Sequence, residues 1–338
     1  MPAVVAWLVV GVADLPHADP DEARDFARAF RAFLMWVHED QGEARKNPVV
    51  RLVREHLGDA VDQSVLTNEL PLIEHVNLQV ALDAWAAESG RTVATHGVAV
   101  PPHHEAPTLQ HLVHGSNVGP VALCAPELVD LPSGPGRTTA CLRRAVLLVE
   151  DARGRYVVMM RGPGRHEEPL LAIEVAGLAT VQAQEVVREL AELRHRLNVY
   201  RGQVLELVLG GGGVQVTFPT LAPTARADVV LPEQTLRRIE RHALDVTSHR
   251  DALRAAGQHL KRGLLLYGPP GTGKTHTTRF VIQQLRDATV LMLSGDALRA
   301  VGSVIQMARE LQPAAVVLED VDLVAEDRGF RPGANPVL

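Results

Sequence analysis

Lysine is nearly missing from this chain of 338 residues. Of its 34 cationic side chains, only Lys46, Lys261 and Lys274 are lysines and the rest are arginines. G+C-rich coding imposes such a bias. It also makes the remaining amines conspicuous, because a planar guanidinium fork does not replace a compact ammonium where a point charge is needed. Cysteine is scarce too. Cys124 and Cys141 form no metal pattern, and one disulfide is possible on arithmetic; a reduced, cytoplasmic protein is the simpler expectation. There is no excess of positive charge. A net charge of −6 gives no electrostatic case for nucleic acid or an anionic membrane as partner. Long apolar runs are also lacking. Ala3–Val12 is about ten residues, against the roughly 20 needed to span a bilayer. No Arg or Lys precedes it, as a secretory signal would require. It reads as a buried strand or the start of a helix, with a mis-assigned start codon as the other reading. Internal repeats and low-complexity tails are missing as well.

What is present is a globular balance, 46% hydrophobic and 22% charged, over a length that suggests two or three domains. Residues 1–130 are expected to be mainly helical. Asp19-Pro20 opens a helix carrying Ala23, Phe26, Ala27, Phe30, Phe33, Leu34 and Val37 at helical spacing. Asn47-Pro48 opens a second, with Val50, Val53 and Leu57 on one face and Gly58 as its stop. A third begins near Pro71 with Ile73, Val76, Val80 and Trp85. These stripes read as core-packing faces. Residues 101–136 are looser. His103, His104, His111 and His114 cluster there without a zinc-motif spacing. Residues 138–220 read as a small α+β module. It has strands at Ala145–Glu150, Tyr156–Arg161 and Leu171–Val175, a helix from Ala183 to Leu197, and a glycine hairpin between Val204–Leu209 and Val214–Phe218. Helical segments follow at Glu233–Leu244 and up to Arg254.

The chemistry-bearing segment comes next. The apolar run Gly263–Tyr267, expected to be a buried parallel strand, leads into Gly268-Pro269-Pro270-Gly271-Thr272-Gly273-Lys274-Thr275 and then a helix from His276. Strand, glycine turn and helix stand in the order a phosphate-binding loop requires. The glycines permit backbone shapes closed to other residues. The loop N–H groups and the helix N-terminus then face one phosphate. Lys274 neutralises phosphate charge, and Thr275 offers a hydroxyl to Mg²⁺. A second buried strand, Ala314–Leu318, ends in Glu319-Asp320-Val321-Asp322, with another strand, Thr289–Ser294, in between. Asp320 lies 46 residues after Lys274. One carboxylate there suits the metal, and another suits activation of an attacking water.

Residues 262–275 and 318–322 resemble the P-loop and Walker B segments of the AAA ATPase family, over about residues 228–338. The resemblance implies an α/β P-loop NTPase core, a parallel sheet with flanking helices, preceded by the mainly helical region and the small α+β module. It implies ATP and Mg²⁺ as cofactors. It places Glu319 as the metal-side acid beside Thr275, Asp320 as the water-activating acid, and Lys274 on the phosphates. Gly268–His276 become the phosphate site, and Asp245 and Val246 the segment that meets adenine. Most members carry Asp then Glu where this chain has Glu then Asp, which shortens the catalytic acid by one methylene. Threading members carry an aromatic pore loop, whereas Leu298–Gly302 has no aromatic residue.

The family's fourth and fifth core strands, sensors, arginine fingers and helical lid would lie beyond Leu338. A fragment of a longer product, or a degraded paralogue, is therefore expected, with the core incomplete at its C-terminus. The fourth strand would sit between the P-loop strand and the Walker B strand. In its absence, those two strands are expected to lack a shared neighbour. The resemblance further implies an ATP hydrolase that remodels a protein substrate selected by the N-terminal half, as a homo-hexamer if the full domain exists. A nucleotide-binding module without hydrolysis is the alternative, and a nucleic-acid motor is disfavoured by the acidic charge balance.

Overall fold

Asn47 starts the helix α1 (Pro48–Leu57). Its side-chain oxygen accepts from Val49 N at 2.9 Å, Pro48 occupies the first turn, and Gly58, at φ 55°, ends the helix. In the computed structural model the described residues are 28–30, 47–101, 104, 106–115, 118–162, 170–210, 213–245, 249–319 and 321. The run Ala3–Val12, nearly all of the helix expected over Ala23–Val37, and His103, Val246, Asp320 and Asp322 lie outside them.

After α1 the chain alternates. It forms β1 (Leu66–Pro71), α2 (His75–Ala86), β2 (Thr92–Ala99), α3 (Leu109–His114), β3 (Ala122–Cys124) and β4 (Glu127–Gly134). Then come β5 (Arg137–Asp151), β6 (Gly154–Arg161), β7 (Leu170–Ala176) and α4 (Thr180–Arg196). The seven strands make one antiparallel sheet in the order β1-β7-β6-β5-β2-β3, with β4 beside the first half of β5. Successive side chains on a strand face opposite ways, and β6 shows it. Tyr156, Val158 and Met160 pack with Leu82 and Trp85 of α2 and Val186 and Leu190 of α4. Val157 and Met159 pack on the other face with Val50 and Val53 of α1 and Leu112 of α3. The result is three layers, with helices on both faces of the sheet.

This corrects two expectations. Residues 47–130 are not mainly helical, and 130–138 is no boundary, since β2 and β4 both pair with β5. The strands before residue 130 carry Asn, Glu, His, Gly and Pro, so they show little of the apolar alternation that marks a strand in sequence.

Two side chains finish the sheet. β6 ends opposite Arg144, yet β5 runs on to Arg137 in the other direction. There Gln79 of α2 accepts from Leu142 N at 2.8 Å, and His75 Nε2 donates to Leu142 O at 2.8 Å. Buried backbone groups without a strand partner have thus found side chains instead. Burial holds His75 below its ordinary pKa, which favours the neutral ring that makes this bond. At the far end of α2, the Arg91 guanidinium lies 4.1 Å from the Trp85 ring centre. Its neighbour Asp151 loses hydration on burial, but hydrogen bonds from Arg153 and Tyr156 outweigh this and hold the carboxyl well below the usual range.

The second sheet has the order β11-β10-β8-β9. Its strands are β8 (Val204–Gly210), β9 (Gly213–Thr217), β10 (Thr289–Leu293) and β11 (Ala314–Leu318). Helices α5 (Glu233–Ala243), α6 (Arg250–Ala255), α7 (Lys274–Gln284) and α8 (Val301–Glu310) accompany it. The expected hairpin between 204 and 218 is present, but it belongs to this sheet. β8 runs parallel to β10, with Val204–Leu207 against Val290–Leu293. The module predicted to end at 220 is therefore split. Its first strands lie in the seven-stranded sheet, and its last two lie in the four-stranded one.

Glu174 on β7 is buried and accepts from Leu109 N at 2.6 Å, satisfying the first turn of α3. Burial raises its pKa above the ordinary carboxylate value, against the lowering pull of the Leu109 N–H and Arg161. A raised folded-state value favours folding most below the unfolded pKa, about 4.3, and that contribution is lost as pH rises through the folded value. Glu174→Gln keeps an acceptor and removes the titration. Urea unfolding from pH 4 to 8 should therefore show wild type losing stability relative to Glu174→Gln as pH rises. Glu174→Leu, which orphans Leu109 N–H, should cost about 1–3 kcal/mol.

Candidate functional site: a phosphate-binding loop

The loop Gly268–Gly273 delivers the chain into α7, whose first residue is Lys274. Gly271 at φ 78° and Gly273 at φ 82° occupy the left-handed region. A Cβ on either would meet nothing within 4 Å, so both glycines border open space. Thr272 Oγ1 donates to Pro269 O at 2.8 Å and braces the turn. Thr277 N and Oγ1 both donate to Gly273 O at 2.9 Å, which fixes the first turn of the helix. Phe280, on the inner side of α7, packs against Val229 and Leu236 of the α5 region. Gln283 donates to Ala222 O and accepts from Thr224 N.

Lys274 Nζ folds back to Gly268 O at 2.9 Å and Pro269 O at 3.1 Å. Two neutral carbonyl oxygens are weaker partners for an ammonium than a phosphate oxygen, since the phosphate carries a full negative charge that adds Coulomb attraction to the hydrogen bond. A phosphate entering the turn therefore competes well for this side chain. Thr275 is exposed on the first turn beside it. The open turn, the helix N-terminus, the lysine and the hydroxyl fit a phosphate with a hard cation.

The acidic half is placed by strand pairing. β11 runs parallel to β10 from Thr289↔Ala314 to Leu293↔Leu318, and Glu319 N donates to Leu293 O at 2.9 Å. Glu319 is thus held at the C-terminal end of the strand. Among the described residues, Lys274 Nζ bonds to loop carbonyls, and no hydrogen bond runs from it or from Thr275 to Glu319. Asp320 follows outside the described residues, as does Val246. Asp245 is exposed. It lines a shallow depression of about 350 Å³ with Arg238, Arg241, His242, His249 and Arg262, next to the run that enters the loop.

Gly263–Tyr267 differs from expectation. It forms no strand, and Leu265 and Tyr267 are 75% and 89% exposed. The described residues supply no strand to stand between it and the outer edge of β11, so its backbone has no ladder to join. Leu298, in the stretch compared with a pore loop, is buried in the core with Leu291 and Val304.

A glycine turn leading into a helix, with an acid at the end of a parallel strand, defines a P-loop nucleoside triphosphatase segment. Residues 264–335 match the family described as "ATPase family associated with various cellular activities (AAA)". The chain is 35% identical over 89 residues to a 26S proteasome regulatory subunit 6B homolog of Dictyostelium discoideum, covering 24% of this chain and 22% of that protein. It is 33% identical over 104 residues to a 26S protease regulatory subunit 6A of Caenorhabditis elegans, covering 28% and 24%. It is 30% identical over 124 residues to an ATP-dependent zinc metalloprotease FtsH 2 of Symbiobacterium thermophilum, covering 34% and 21%. The chain spans less than a quarter of the length of each of these relatives.

The sequence pointed to the loop, α7, β10 and β11. It did not reveal that β8 joins their sheet. The run Val204–Leu209, apolar except at Glu206, was the available signal. Gly273→Ala tests the loop. The added methyl meets no atom, so its cost is the left-handed backbone, about 1–2 kcal/mol. Weakened binding of a fluorescent ATP analogue is expected, together with a melting temperature lowered by a few degrees, as that strain implies.

Proposed function

We propose that the chain binds ATP with Mg²⁺ at Gly268–Thr275 and that, in the complete protein, hydrolysis drives remodelling of a protein substrate. The observation that carries this is the open glycine turn on the N-terminus of α7, with a lone amine poised at its mouth. In this reading Lys274 leaves the carbonyls of Gly268 and Pro269 for the β and γ phosphates, and the loop N–H groups take the remaining oxygens. The Thr275 hydroxyl and the Glu319 carboxylate hold the metal, which supplies charge neutralisation at the phosphates. Asp320, next in sequence to Glu319, takes the proton of the attacking water at its carboxylate. Asp245 and Val246 meet the base. The relatives named as proteasome regulatory subunits and as an ATP-dependent protease support protein remodelling, with the N-terminal α/β unit contacting the substrate or partner and the complete form assembling as a ring.

A second reading, nucleotide binding without turnover, is favoured by one observation: the run entering the loop is exposed and unpaired. Phosphate release separates the two readings. Lys274→Ala should lose nucleotide binding at least about tenfold, and should change stability by no more than about 0.5 kcal/mol because its bonds lie on the surface. Asp320→Asn should keep binding and slow hydrolysis by about 10²–10⁴-fold, the usual worth of a general base. ATP bound with no phosphate released by wild type would leave the second reading.

A further inference from the structure

The acid at the end of β11 has to be held in register, and β11 is paired on one side only among the described residues. Its register therefore rests on β10. A slip of one residue would turn every side chain of β11 to the opposite face. It would also carry Asp320 to the place of Glu319. Something must pin the start of the strand.

Thr289, the first residue of β10, is fully buried. Its hydroxyl donates to Leu311 O at 3.0 Å and accepts from Gly202 N at 3.0 Å. Its own N–H donates to Pro313 O at 2.8 Å, the residue before β11. The hydroxyl therefore joins the end of α8, two residues before Pro313, to the entry of β8, while the backbone N–H of the same residue holds the entry to β11. Arg201 adds a second clamp from outside, donating to Glu310 O at 3.3 Å and Gln312 O at 3.2 Å. Tyr200 and Val199, just upstream, are tied to the N-terminal unit. Tyr200 OH donates to Ile73 O at 2.9 Å, and Val199 N donates to Asn77 Oδ1 at 3.0 Å.

We propose that Thr289 is a positioning residue for Glu319, acting through the register of β11, with Arg201 as its outer support. This rests on the reading of Glu319 as the metal-side acid. Thr289 touches neither phosphate nor metal. It stands at the opposite end of the strand pair, about 16 Å away at ~3.3 Å per residue. Its loss misplaces the acid while the loop Gly268–Thr275, borne on α7, keeps its own hydrogen bonds.

The test is titration of the full chain with a fluorescent ATP analogue in EDTA and again in magnesium, comparing wild type, Thr289→Val, Thr289→Ser and Arg201→Ala. Valine keeps the shape and removes the hydroxyl, and serine restores it. The expected result is a magnesium-dependent gain in affinity that falls about fivefold or more in Thr289→Val, consistent with the loss of a buried hydrogen-bonded hydroxyl. Affinity in EDTA should stay at the wild-type level, Thr289→Ser should retain most of the gain, and Arg201→Ala should lose part of it. If Thr289→Val does not fold, Arg201→Ala decides, since its guanidinium is exposed. A full magnesium gain in Thr289→Val, or in Arg201→Ala where it decides, overturns the proposal, as does an equal fall in both buffers. Wild-type binding without any magnesium gain also overturns it but leaves the phosphate-loop reading standing. No wild-type binding in either buffer overturns both.

Discussion

A strand buried on both faces needs a backbone partner on each side. Every N–H and C=O left without one in the interior costs about 1–3 kcal/mol. β10 meets that demand with β11 on one side and β8 on the other. The rest of the nucleotide-binding half is arranged around this pairing. Leu205 and Leu207 of β8 and Leu291 and Leu293 of β10 are buried together, and α8 closes over them through Val304 and Met307. Since β8 directly follows α4 of the seven-stranded unit, the same pairing welds the two sheets into one chain of contacts. Tyr200 is the hinge pin, 2% exposed and shared between Ile73 on one side and the β8 core on the other.

The phosphate loop obeys a different economy. Its geometry is local, set by two left-handed glycines and a short helix N-terminus, and its hydrogen bonds stay close to home. Such a loop retains its shape without help from distant residues. Glu319 has no such independence, because it is where it is only through the strand before it. The loop's geometry is therefore a property of sequence-neighbours, and the position of the acid is a property of the sheet.

That difference also explains what could be read from the residues. α1 was legible because Asn47, Pro48 and Gly58 each act on adjacent backbone. The loop was legible because its glycines, lysine and threonine are contiguous. β10 and β11 showed as short unbroken apolar runs. β1, β2 and β4 did not, because each mixes polar residues or proline into a strand whose pairing is decided elsewhere, and β3 is only three residues long. Among the described residues, Pro71 and Pro132 lie on strands paired on one side only, where a missing N–H is tolerated. The pairing of β8 with β10 joins residues more than 80 positions apart, and no periodicity within either segment encodes it. Gly263–Tyr267 has the composition of a buried strand, but composition supplies only one of the two partners a ladder requires.

The bonds from Gln79 and His75 to Leu142 have a consequence for how this architecture can vary. They end the seven-stranded sheet by chemistry: β5 has further backbone to offer at that point, and two polar side chains occupy it. Altering either residue leaves a buried N–H or C=O of Leu142 without a partner, so these two positions on the helix are tied to the sheet edge that they cover.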